Sequence, residues 1–315
     1  MSLFQKILVV VDAAQSEHPQ LERGMKLAEQ SQSNLQLVDI VKDVSLTVRL
    51  LSRDYTHLHS LLIREKEEQL QRLVDRCRAH GLQADGQVLC GVSSHQTLEA
   101  ASRLGADLIV RLTKGSRSLQ AGHLGTSSQQ LLRRLACPLW LADPQHEPQC
   151  RSIVAAVDAS PDDDAHRQLN RRILQVALQL AKRERAKLRV GYVWSLYGSE
   201  MLRHRLPESE YQGLLEFNRR QHQESFEELL AQFDLHATGP DARMLEGEPS
   251  QALPELCTQE QADLLVCGTV ARHGIPGLFL GNTAERIVNR VACSILALTP
   301  PPPAEAPTAS PAPAT

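Results

Sequence analysis

Short apolar runs alternate with longer stretches of helical period along the whole chain. Residues 6–11 (KILVVV) form a β-branched run without polar alternation, the pattern of a parallel strand covered on both faces. The periodicity then predicts helix over 17–32, strand over 35–41, a long charged helix over 55–80, strand over 82–90, helix over 94–104, strand over 107–112, helix over 125–135 and strand over 138–142. From Arg151 to Leu298 the same order recurs. Five strands alternating with four helices predict an α/β unit whose five-stranded, mostly parallel sheet is flanked by helices. Ligands of such sheets bind beyond the carboxyl ends of the strands, where the strand order reverses.

The recurrence is an internal duplication. Asp107-Leu-Ile-Val repeats as Asp263-Leu-Leu-Val 156 positions later, and the same offset pairs Gly91 with Gly247, Leu124-Gly125 with Leu280-Gly281, and Ala136-Cys137 with Ala292-Cys293. Ile7 to Asp12 (ILVVVD) matches Ile153 to Asp158 (IVAAVD) at an offset of 146, and Leu27-Ala28 matches Leu180-Ala181 at 153. Small insertions between anchors account for the drift. The expected organisation is therefore two tandem domains, 1–143 and 151–299, with a polar, proline-containing linker at 144–150. Residues 300–315, rich in Pro and Ala, cannot bury a core and are expected to be a disordered, solvated tail.

Length agrees, since 315 residues hold two cores at roughly 150 residues each. Hydrophobic residues make up 42% and charged residues 23%, a globular composition. No apolar stretch reaches the roughly eighteen residues of a spanning helix, and no signal-peptide pattern follows Met1, so no membrane partner and a cytoplasmic location are expected. A net charge of −3 argues against a nucleic-acid partner. The seven cysteines contain no C-x-x-C pair and read as free thiols, with Cys90 and Cys267 as small buried apolar residues.

Candidate chemistry concentrates in Val266 to Glu285 (VCGTVARHGIPGLFLGNTAE), a glycine-rich loop between a buried strand and a helix. Glycines allow close backbone approach, and N–H groups at the helix start are open to an anion. The same glycines also suit a tight turn with no ligand. Elsewhere Asp12 and Asp158 end the first strand of each copy, where a ligand would approach, and each also suits a turn cap. Glu65-Lys66-Glu67-Glu68 reads as a solvated helix face, and His57 and His59 point to different helix faces.

Through these residues the chain resembles the universal stress protein family, and most closely its tandem-domain members of the E type. The likeness rests on the Asp ending each first strand, the ADLxV strand in both copies, Gly281-Asn-Thr-Ala-Glu285, and the closing A-C-P-L and A-C-S-I strands. It implies the Rossmann-like, adenine-nucleotide-binding fold of that family. ATP-binding members carry G-x2-G-x9-G-[ST] after the fourth strand; here those positions hold Gly268, Ala271, Gly281 and Asn282, with Thr283 adjacent. The resemblance would place Asp158 beside the adenine or ribose and Val193 along the adenine. ATP or another adenine nucleotide, with Mg, is the implied ligand, held weakly because Ala271 and Asn282 depart from the motif. In the first copy the aligned positions are Leu112, Gly115, Gly125 and Thr126, and that half reads as structural.

The resemblance further implies a non-catalytic cytoplasmic protein supporting survival under starvation, oxidants or DNA damage. The two halves are expected to pack as an internal pseudo-dimer, with a homodimer and unidentified protein partners open. Dedicated catalysis is not expected, since no P-loop, placed base or metal cluster is present in the sequence; the alternatives are a ligand-free interaction scaffold and a slow ATPase in the second half.

Overall fold

In the computed structural model, which describes residues 3–42, 55–114, 124–135, 137–160, 164–269 and 282–300, ten strands form one continuous sheet. The first half supplies β1 (Lys6–Val11), β2 (Asn34–Val41), β3 (Ala84–Cys90), β4 (Leu108–Leu112) and β5 (Leu139–Ala142). Its helices are α1 (Pro19–Ser31), α2 (Tyr55–Ala79), α3 (Ser93–Leu104) and α4 (Thr126–Leu132). The second half supplies β6 (Ser152–Val157), β7 (Lys187–Trp194), β8 (Ala242–Glu246), β9 (Leu264–Gly268) and β10 (Ser294–Leu298). Its helices are α5 (Asp164–Glu184), α6 (Ser199–Arg205), α7 (Glu208–Ala231), α8 (Pro249–Gln259) and α9 (Asn282–Arg290).

Strand order is β3-β2-β1-β4-β5-β10-β9-β6-β7-β8, parallel throughout each half. The sequence predicts one five-stranded sheet per half; the structure fuses the two through an antiparallel pair, with Leu141 opposite Ile295 and Trp140 opposite Leu296. Both strands are buried on both faces, so either one left bare would be an apolar edge. Pairing them removes both edges at once.

Each strand feeds two cores. Ile7, Val9 and Val11 point to the side covered by α1 and α2, while Leu8 and Val10 point to the side covered by α3 and α4. The first core includes Val110 and Trp140 from one half and Val266 and Leu296 from the other, so it runs unbroken through the junction.

Two repeated sequence features have structural roles. Asp107 accepts the N–H groups of Gln5 (2.7 Å) and Lys6 (3.0 Å), and Asp263 accepts those of Arg151 (2.6 Å) and Ser152 (2.9 Å), so each pins the start of the first strand to that of the fourth. Gly91 and Gly247 sit at φ +133° and +139°, and their N–H groups reach Val41 O and Trp194 O at 2.9 Å. Only glycine adopts that backbone without strain.

Across the junction α1 packs against α5. Arg23 Nη1 lies 2.5 Å from Glu184 Oε1 and donates to Pro148 O at 2.7 Å, and its guanidinium stands 3.9 Å over the Trp140 ring. Glu184 also accepts the Cys150 N–H at 2.7 Å. On the opposite face α4 meets α9 through Arg133–Glu285 (2.5 Å) and Gln129–Asn289 (3.3 Å). The two halves thus form an internal pseudo-dimer.

Among the described residues the copies differ in the length of the first helix, which periodicity did not separate. Pro19 at the start of α1 sets a late beginning, whereas α5 runs 21 residues against 13 and gains about two turns at its N-terminal end. The second half carries α6, which the periodicity does not predict; the residues aligned with it, 43–49, lie outside the described residues. Among the cysteines, Cys90 is exposed rather than buried, because it ends the edge strand β3; Cys267 is buried, and none of the seven forms a disulfide.

Candidate functional site

The strand order reverses between β1 and β4 and again between β6 and β9, which makes the carboxyl ends of those strands the places to look. Register aligns the two halves residue by residue there. Asp39 lies opposite Val11 and Tyr192 opposite Val157, so these two occupy the same place in the duplicated fold. The long helices α2 and α7 align at the 156-residue offset, which puts Lys66 where the second half has His222.

In the first half Lys66 turns inward from α2. Its Nζ stands 2.9 Å from Asp39 Oδ2 and also contacts Asp12 Oδ1, while Asp39 Oδ2 accepts the Ala13 N–H at 2.8 Å. The side chain of Asp39 is only 4% exposed, so its charge needs that cation. Burial alone would lower the Lys66 pKa, but the bonds to Asp12 and Asp39 outweigh it and raise the value. For Asp12 burial pushes upward, and Lys66 reverses it and holds the carboxyl below its ordinary range. The reading of Glu65 to Glu68 as a uniformly solvated face is therefore corrected at Lys66, whose side chain is 15% exposed.

In the second half the same place is aromatic. Tyr192 OH lies 2.5 Å from His222 Nδ1, and Ser160 Oγ lies 3.5 Å from Tyr192 OH. The His222 ring is 5.5 Å from Trp194, and Tyr192 is 5.3 Å from Phe226. Asp158, half-buried at the end of β6, accepts the Ser160 N–H at 3.2 Å, and its own N–H donates to Asn170 Oδ1 at 3.0 Å. Asp12 likewise accepts the Ala14 N–H at 3.3 Å. Each acid therefore caps a turn two residues on, as well as standing at the ligand edge.

The remaining candidate residues scatter. Val193 is buried on the face opposite Tyr192, in the core beneath α8 and α9. Gly268 ends β9, where an added Cβ would stand 2.6 Å from Leu169 Cδ2 and 3.1 Å from its Cγ. Leu169 belongs to the turns of α5 that α1 lacks, so packing alone accounts for glycine at that position. Thr283 is exposed in the first turn of α9. Ala271, Gly281, the Asn282 side chain, Arg272, His273 and Gly115 lie outside the described residues. Gly125 caps α4, Thr126 begins it, and Leu112 packs against the first core.

Tested against an adenine nucleotide, the first half does not fit: Lys66 bridges the ends of β1 and β2, and Leu112 replaces the leading glycine. The second half offers Asp158 and Val193 at neighbouring strand ends, and the phosphate contacts would fall on residues 270–282. A separate cleft of about 390 Å³ opens beside the edge strand β8, lined by Trp194, Arg219, Thr238, Arg243 and Glu246. Sequence reasoning missed Asp39, Tyr192 and His222. The one visible signal was Asp39, an acid inside the apolar run LVDIV of β2.

Comparison with known proteins gives one answer at the level of family. The profile described as the Universal stress protein family matches residues 3–142 and 150–299. The chain is 25% identical over 308 residues to universal stress protein E of Photorhabdus laumondii, covering 95% of this chain and 96% of that protein. It is 23% identical over 305 residues to universal stress protein E of Escherichia coli K12, covering 95% of both. Among solved structures, a functionally unknown protein of Pseudomonas aeruginosa PAO1 superimposes with a TM-score of 0.72 at 23% identity, over 94% of this chain and 93% of that one. A universal stress protein of Archaeoglobus fulgidus gives 0.63 at 16% identity, over 95% and 98%. With one family domain in each fused half, the chain belongs to the universal stress protein family as a tandem-domain member of the E type.

Proposed function

We propose that this protein acts in the cytoplasmic stress response as a non-catalytic regulatory protein, supporting survival under starvation, oxidants or DNA damage, with weak adenine nucleotide binding confined to its second half. The observation that carries this reading is the asymmetry at the strand ends. Lys66 closes the first half over Asp12 and Asp39, whereas at the matching place in the second half His222 bonds Tyr192 and Asp158 accepts the Ser160 N–H at the ligand edge. Magnesium would accompany the phosphates. Asp158 would hold the ribose or base edge, Val193 would line the adenine, and backbone from Gly268 to Thr283 would meet the phosphates.

Two weakened phosphate contacts, at Ala271 and Asn282, cost about 1 kcal/mol each, so affinity falls roughly 30-fold below that of a complete motif. Calorimetric titration with ATP and magnesium tests this: the native chain should bind weakly and Ala271→Gly with Asn282→Ser should bind tighter. Gly281→Val should abolish binding while Gly125→Val leaves it intact. Equal loss from both glycine changes overturns the assignment to the second half. The second reading, a ligand-free scaffold, is favoured by the packing of Leu169 onto Gly268. Mass spectrometry of small molecules released from the purified protein separates the two, and ATP turnover above background would instead identify a slow ATPase.

A further inference from the structure

Near the end of β4 stands a cation that nothing in the described chain balances. Arg111 is the penultimate residue of that strand, on the face it shares with Ile109 beneath α3 and α4. Its Nε and Nη1 are shielded from solvent and bond to no atom, and among the described residues no carboxylate pairs with it. Two residues on, continuing the same face, Thr113 is buried with its hydroxyl likewise unbonded. The Thr113 backbone is fully used, its N–H on Ala142 O at 2.9 Å and its carbonyl accepting the Gly125 N–H at 3.1 Å. Only the side chain is unspent.

The second half shows what a balanced version looks like. At the matched positions it has Cys267, a buried thiol pushed up to about 12, and Thr269, whose hydroxyl donates to Leu298 O at 3.2 Å. Among the described residues no cation is buried there, and the Thr269 hydroxyl is not left over. In the first half burial pushes Arg111 down to about 10 with no charge opposing it. A shielded guanidinium without a partner is destabilising unless an anion completes it. Sequence reasoning placed phosphate chemistry in the second half because the glycines are there; the unpaired donors are in the first.

We propose that Arg111 and Thr113 form a binding site for a small oxyanion of the phosphate or sulfate class. The guanidinium would supply charge-assisted N–H bonds to the oxyanion and the Thr113 hydroxyl a further bond. Because Lys66 closes the neighbouring crevice and Leu112 occupies the place of the leading glycine, the ligand is an anion alone rather than a nucleotide.

Thermal unfolding of the full chain in rising inorganic phosphate, at ionic strength held constant with chloride, tests the site. The native protein should show a saturable rise in melting temperature, and Arg111→Met should show none. Thr113→Val, which loses one hydroxyl bond to a charged ligand, should weaken phosphate about tenfold. In buffer free of phosphate and sulfate, Arg111→Met should melt no lower than the native chain, because it removes an unbalanced charge. The response should persist in the Gly281→Val background, which separates it from nucleotide binding in the other half. The site is overturned if the native chain gains nothing, if Arg111→Met gains equally, if Arg111→Met is destabilised without the anion, or if Gly281→Val removes the response.

Discussion

Lys66 Nζ stands 2.9 Å from Asp39 Oδ2, joining a long surface helix to the buried end of a central strand. Removing the lysine leaves a carboxylate that is 4% exposed without its cation. Lys66→Met should therefore destabilise the protein by about 3–5 kcal/mol, the usual consequence of breaking a buried pair from one side. Adding Asp39→Asn should recover most of it. Denaturant unfolding of both variants checks this, and a lysine that could be removed without loss would show the pair to be incidental.

Gly268 and Leu169 make a second test. Gly268→Ala puts a Cβ 2.6 Å from Leu169 Cδ2, so stability should fall by about 1–3 kcal/mol with no nucleotide present. Leu169→Ala in the same chain should restore most of that loss. If the double variant is no better than the sum of the two singles, crowding against α5 is not the reason for glycine.

At the junction, Arg23→Met should leave the fully buried side chain of Glu184 with only Lys26, 3.5 Å away, and lower stability by about 1.5–3 kcal/mol. Arg23→Met combined with Glu184→Gln should do better than Arg23→Met alone. Tryptophan emission should shift in both, since the guanidinium stacked on Trp140 is gone. An unchanged spectrum would mean that the stacking does not persist in solution.

Glu260 gives the pH dependence. Its bonds to Arg189, then Lys187, outweigh burial and depress its carboxyl from 4.5 to about 2. Its side chain is 11% exposed, so the depression corresponds to about 3 kcal/mol as an upper figure. The sign follows from a folded value below the unfolded one: the contribution is complete above pH 4.5 and disappears as pH falls through 2. Glu260→Gln should be less stable than the native chain at pH 7 and should converge with it toward pH 2. Parallel unfolding curves with a constant gap down to pH 2 would refute the clamp.

Much of the fold was legible in the sequence because burial on both faces of a parallel strand leaves an unmistakable apolar run, as in KILVVV, and because a duplication shows every such run twice. What stayed hidden depends on contacts between distant residues. Lys66 sits among three glutamates and looks solvated until the helix is docked on β2; then its side chain points at Asp39. Tyr192 and His222 are 30 positions apart and share no local pattern. For Gly268 the sequence offers the phosphate reading from its loop neighbours, and only the fold adds the packing of Leu169 against it. The fusion of the two sheets was equally unreadable, since nothing in the short strand LWLA names its partner.

The contact between Arg23 and Glu184 carries a consequence for symmetry. Under the repeat, Arg23 corresponds to Val176 and Glu184 to Ser31, so the mirror-image contact would join valine to serine. A dimer of identical subunits must make every interface contact twice, once in each direction. This interface makes its buried ion pair once. Were the first half to pair with a second copy of itself through β5, each Arg23 would meet a serine, leaving two buried cations and no carboxylate to receive them. Joining the halves in one chain removes the requirement for self-complementarity, and at this contact the first half fits the second rather than a copy of itself.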